Sequence, residues 1–107
     1  MTIRDLVILT ALLANLYGVD PGYAQCIVYH ESRYVVNAVN GEHLGLAQFK
    51  ESTMRWALAE MGASWDWETM GDPRLHPPTT LAAMCYLMGR GYTHWWSTHF
   101  LCARGKQ

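Results

Sequence analysis

The chain opens on apolar residues at helical spacing. Ile3, Leu6, Leu9, Leu13 and Leu16 recur every three or four positions, and Gly18 follows as a C-terminal stop, so a first helix is expected from about Thr2 to Tyr17. Asp20-Pro21 predicts the start of a second helix, with Asp20 as N-cap and Pro21 at the first helical position. On that helix Ala24, Ile27, Val28 and Glu31 fall at i, i+3, i+4 and i+7, one face, with Glu31 within a turn of the helix end. Asn37 to Leu44 reads as a loop or short hairpin turning at Asn40-Gly41.

Lys50 to Thr53 leads into a third helix through Met54, Trp56, Ala57, Leu58 and Met61, closed by Gly62. Ala63 to Pro78 has the Gly, Pro and Asp content of a loop. A fourth helix is expected from about Pro78 to Met88, striped by Leu81, Ala82, Cys85 and Met88, and a last short one from Thr93 to Cys102. No repeat or linker interrupts the pattern. Residues 1–107 therefore read as one small, mainly α domain of about five helices, with a short loop or hairpin after the second.

Composition narrows the function. Half of the residues are hydrophobic and 16% are charged, which makes a folded globule. Eight Lys and Arg balance nine Asp and Glu, with no basic run, so there is no electrostatic footprint for nucleic acid. Leu6 to Ala14 has the length of a signal-peptide apolar core, with Gly22-Tyr23-Ala24 as a crude cleavage site. It is too short for a membrane span. Asp5 cancels Arg4, and the helical spacing argues for a core helix. Five Trp and six Tyr are many for this length; most fill a small core, and one or two are expected to line a groove.

Glu31 is the candidate for chemistry. A carboxylate on an otherwise apolar helix face resists ionisation, which suits a proton donor. No second acid is paired with it by spacing; Glu42 and Glu51 are the nearest downstream, and Glu42 is the one candidate helper, against the plainer reading of a solvated loop carboxylate. His30-Glu31 begins like a zinc-protease His-Glu-x-x-His, but Tyr34 stands where the second His belongs. His99 and Cys102 are one turn apart, with His94 off that face, so a surface pair is the better reading and no metal is expected. Cys26, Cys85 and Cys102 cannot all pair, and none is in a Cys-x-x-Cys spacing. A Cys85–Cys102 bridge and three reduced, mostly buried thiols both remain open, with the thiols preferred.

Several short motifs in order carry a resemblance. Glu31-Ser32-Arg33-Tyr34 with Asn37-Ala38-Val39, then Gly45-Leu46-Ala47-Gln48-Phe49 and Thr53, resembles the soluble lytic transglycosylases and goose-type lysozymes of the lysozyme-like superfamily. Tyr17-Gly18-Val19-Asp20-Pro21 is similar to that family's lead-in to its catalytic helix, and Tyr86-Leu87 to a pair on its next helix. Ala47 replaces the usual Met. The family's closing Ala-Tyr-Asn, whose Tyr steadies the catalytic Glu, has no counterpart, and Tyr86 or Tyr92 is the candidate substitute.

The resemblance implies a lysozyme-like fold and cleavage of the β-1,4 bond between N-acetylmuramic acid and N-acetylglucosamine in peptidoglycan, with Glu31 as general acid and base. It implies that Ser32 bonds the substrate or Glu31, and that Gln48 and the backbone of Leu46 and Ala47 bind N-acetyl groups. Most glycosidases need a second carboxylate. Transglycosylases use the sugar's own 6-hydroxyl, and the product is then a 1,6-anhydro-muramic end. A hydrolytic lysozyme using water and Glu42 is the alternative, and a noncatalytic wall-binding module is the rival of another class. The expected partner is the glycan strand, the expected form a monomer without cofactor. The expected setting is the bacterial cell wall, reached as a phage lysin without its own signal or as a secreted or periplasmic enzyme.

Overall fold

The computed structural model describes residues 1–103. It is mainly helical. Helix α1 is Ile3–Leu16, α2 Pro21–Ser32, α3 Glu51–Glu60, α4 Trp67–Met70, α5 Pro77–Gly89 and α6 His99–Ala103. Strands β1, Val39–Asn40, and β2, His43–Leu44, form an antiparallel hairpin between α2 and α3, and 3-10 turns cover Pro73–Leu75 and Thr93–Trp95.

Local chemistry sets the element ends. Thr2 and Asp5 form a capping box at α1. The helix closes in a Schellman turn: Gly18, at φ +73°, donates to the Asn15 carbonyl and Val19 to that of Ala14. Gly62 ends α3 in the same way, with Ala63 donating to Leu58. Asp20 accepts from the Tyr23 amide at 2.8 Å and so caps α2. The hairpin is where it was expected, but its tip is Gly41-Glu42, because Asn40 pairs with His43 as the last strand residue. Gly41, at φ +61°, takes the left-handed position.

Helix α5 is the axis of the core. Thr80, Leu81, Ala83, Met84, Cys85, Leu87 and Met88 are buried, so its apolar content runs nearly all round rather than in one stripe. Helix α1 packs on α2 and α5, and α3 on α5. Gly89 lets the ends of α1 and α5 meet, since a Cβ there would stand 2.5 Å from the Tyr17 carbonyl oxygen.

Three expectations need correction. The buried stripe of α1 is Leu6, Thr10 and Ala14; Ile3 and Leu16 face outwards, because α2 and α5 cover the side one residue round the helix. Ala63 to Pro78 is not a plain loop: Asp66 caps the single turn of α4 through the Glu68 amide, and Asp72 caps the 3-10 turn through Arg74. The last helix is split, with Trp96, Ser97 and Thr98 lying between the Thr93–Trp95 turn and α6.

The preferred reading of three reduced thiols, and the open one of a Cys85–Cys102 bridge, need correction too. Cys26 on α2 is bonded to Cys102 on α6, across 76 positions. Cys85, fully buried in the middle of α5, is left as a free thiol, and that burial pushes it up to about 12.

Candidate active site

The cleft is built from a turn, a helix end and a strap. The turn is Gly45 to Phe49. Gln48 sits at φ +55°, a left-handed position a non-glycine residue seldom takes, and its side-chain amide donates to the carbonyls of Gly45, at 2.8 Å, and Ala38, at 2.9 Å. Gly45, at φ +88°, admits no Cβ, which would fall 2.1 Å from the Arg74 carbonyl oxygen.

Arg74 locks this turn from behind. Its guanidinium donates to the carbonyls of Glu42 and Phe49 while holding Asp72 at 2.7 Å. Burial works to raise the Asp72 carboxyl, but the hydrogen bonds and charge of Arg74 outweigh it and leave the group below the usual carboxylate range.

The helix end is that of α2. Arg33 and Tyr34 both take left-handed conformations, and Ser32 closes the turn: its hydroxyl donates to the Val28 carbonyl and accepts from the Tyr34 amide. Glu31 is thereby left half-buried on the cleft wall.

The strap is Thr93 to Cys102. Three successive turns of α2 hold it: Tyr23 shares a hydrogen bond with His99, Cys26 is bonded to Cys102, and Glu31 accepts a hydrogen bond from the Thr98 hydroxyl at 2.8 Å. Trp96, buried, donates its indole N–H to the Ala47 carbonyl at 2.8 Å and packs edge-on to Phe49. The strap and the turn therefore face each other across the opening.

That opening is a cleft of about 470 Å3, lined by Glu31, His43, Gln48, Phe49, Lys50, Thr53 and the run Trp95 to Ser97. Among the described residues Glu31 is the only acid of the lining. No described residue donates to its second oxygen, Oε1. The lining brings together aromatic rings, amide and hydroxyl groups, the Lys50 ammonium, the His43 imidazole and one carboxylate.

The expected site residues divide sharply. Glu31 and Gln48 line the cleft. Leu46 and Ala47 are buried beneath it, and the Ala47 carbonyl is engaged by Trp96. Ser32 is spent on the helix end and does not reach the lining. Tyr86 lies against Tyr17 and donates to the Glu60 carbonyl, and Tyr92 packs on Trp56 and Trp95; neither bonds Glu31. Glu42 is exposed at the hairpin tip, 3.9 Å from Lys50, and outside the lining. Thr98, Trp96, Arg74 and Asp72 were not anticipated. The polar break Ser97-Thr98 after an aromatic run was the one local sign of the first.

His94 is exposed and His99 is engaged by Tyr23, so the C-terminal histidines do not converge with Cys102. The described group whose donor atoms do converge, within 4.8 Å, is Cys26, His30 and Cys102, and its two sulfurs are bonded to each other. No described helix is long and apolar enough to cross a membrane. A small helical domain with a carboxylate at a helix end over a cleft is what the fold and site define. Comparison with protein-family models, with curated proteins and with solved structures finds no match to this chain.

Proposed function

We propose that the protein is a peptidoglycan-cleaving glycosidase acting on the β-1,4 bond between N-acetylmuramic acid and N-acetylglucosamine, with a lytic transglycosylase mechanism. The observation that carries this reading is the placement of Glu31, held by Thr98 on the wall of an aromatic cleft whose described lining contains no second acid. Most inverting and retaining hydrolases use a second carboxylate opposite the first. Glu42 is the nearest loop acid, and it is solvated at the hairpin tip.

The reaction follows from one carboxyl group working twice. Protonated Glu31 gives its proton to the glycosidic oxygen as the bond to C1 of the muramic residue breaks, and the N-acetylglucosamine leaves with a 4-hydroxyl. The muramic acetamido group supports the positive charge at C1. Glu31, now a carboxylate, takes the proton of the same sugar's 6-hydroxyl, whose oxygen bonds to C1. The acid is regenerated, and no water is consumed.

Mass spectrometry of digested murein tests this. The expected products end in 1,6-anhydro-muramic acid and are lighter by one water than those of a hydrolase. Free reducing ends would replace the transglycosylase by a hydrolytic lysozyme. Binding to murein without any cleavage would leave a wall-binding module.

A further inference from the structure

At the edge of the cleft, three aromatic rings stand together with no part in holding Glu31 or the turn. Trp95, Tyr92 and Trp56 pack with centroid separations of 4.8 Å for Tyr92–Trp95, 5.4 Å for Trp56–Trp95 and 5.6 Å for Trp56–Tyr92. Two of them are costly to leave in water: Trp95 is 47% exposed and Trp56 37%. The group is continuous with the cleft by two routes. Trp95 belongs to the cleft lining, and Trp56 follows Thr53, another lining residue, by three positions on α3 and so shares its face.

We propose that Trp95 and Trp56, braced by Tyr92, form a separate sugar subsite that takes a pyranose ring of the same glycan strand, beyond the rings held at Glu31. A pyranose has one face of axial C–H bonds, which lies flat on an indole, while its rim of hydroxyls and acetamido groups stays hydrated or meets polar neighbours. Here Thr53 and Lys50 flank the aromatic group along α3 and its cap. The occupant is a sugar rather than a protein chain because the platform continues a cleft open to solvent, so one linear ligand can lie in both. The tilts of 44° and 46° between Trp95 and its two neighbours make a faceted surface that suits a strand changing direction as it leaves the cleft. The inference rests on reading the cleft as a glycan site, and it adds that affinity depends on strand length.

The test uses the full chain carrying Glu31→Gln, so that ligand is bound without turnover, and measures affinity for N-acetylglucosamine oligomers from disaccharide to hexasaccharide. The long oligomer should bind more tightly than the short one. Trp56→Leu, which stays apolar but loses the flat face, should weaken the hexasaccharide by about three- to tenfold and leave the disaccharide unchanged. Trp56→Phe should restore most of the gain. Equal weakening of both lengths would make Trp56 a structural support of the cleft and overturn the subsite, as would no weakening of either. If no oligomer binds the parent, while the fold is intact by circular dichroism, the glycan reading of the cleft fails and the subsite with it. Tight binding that does not grow with length would leave the cleft reading standing and remove the subsite alone.

Discussion

Thr98 donates a hydrogen bond to Glu31 at 2.8 Å although the two residues are 67 positions apart. A hydroxyl donor fixes the direction of a carboxylate without supplying charge, and it leaves the second oxygen free to address a ligand. In the proposed reaction Thr98 is therefore a positioning residue. Thr98→Val, equal in shape but without the donor, should lower kcat by about tenfold with little change in KM, the loss of one hydrogen bond to an ionisable group. Thr98→Ser should keep most of the rate. A raised KM with unchanged kcat would place Thr98 in ligand binding instead.

Glu31→Gln should leave folding and murein binding intact and lower turnover by about a hundredfold or more, since the amide keeps the shape and still accepts from Thr98 but donates no catalytic proton. The check is clearing of a murein suspension beside a thermal melt. Near wild-type clearing by a folded variant would dismiss Glu31 as the acid.

Reduction of the Cys26–Cys102 bond should lower stability markedly. Closing a loop of 76 positions restricts the unfolded chain by about 4 kcal/mol in the chain-entropy account. Melting temperature should fall on adding a reductant to the wild type and stay put in Cys26→Ser. Cys85 should resist thiol reagents in the folded state, because it is buried and its thiol is pushed up to about 12.

Asp72 gives an acid limb to the stability curve. Its carboxyl titrates lower in the folded protein than the ordinary 3.8, so its contribution is complete above that value and is lost as pH falls through the lower, folded one. Asp72→Asn should be less stable near neutrality, and the gap to wild type should narrow as the solution is acidified below 3.8. Thermal melts across the acid range measure it. A gap that is constant with pH would show that Asp72 acts through hydrogen bonding alone.

Elements whose causes lie within a few residues were legible in the sequence. Asp20-Pro21 opens α2 and Gly18 closes α1 because caps are local chemistry, and the spacing that brought Glu31 to the core side of α2 is a property of the helix itself. Long-range choices were hidden. The resemblance asked for a hydroxyl near Glu31 and suggested a tyrosine, whereas a threonine on the strap supplies it, and nothing near Glu31 in the chain encodes that. Arg74 lies in the stretch expected to be a loop, and the two carbonyls it reaches, at the hairpin tip and in the turn, are at least 25 positions away. The pairing of Cys26 with Cys102 depends on how α6 lies on α2, which periodicity does not report.

The strap also sets a timetable for biosynthesis. A nascent chain that has reached Arg90 already contains Glu31, Gln48 and Phe49, yet it has neither Thr98 to orient the acid nor Trp96 to meet Ala47. At about 5–20 residues per second, translation places roughly three to thirteen seconds between Glu31 and the residue that aligns it. Until then the acid is made but unaimed, so a ribosome-bound fragment ending short of the strap is a precursor without the finished cleft.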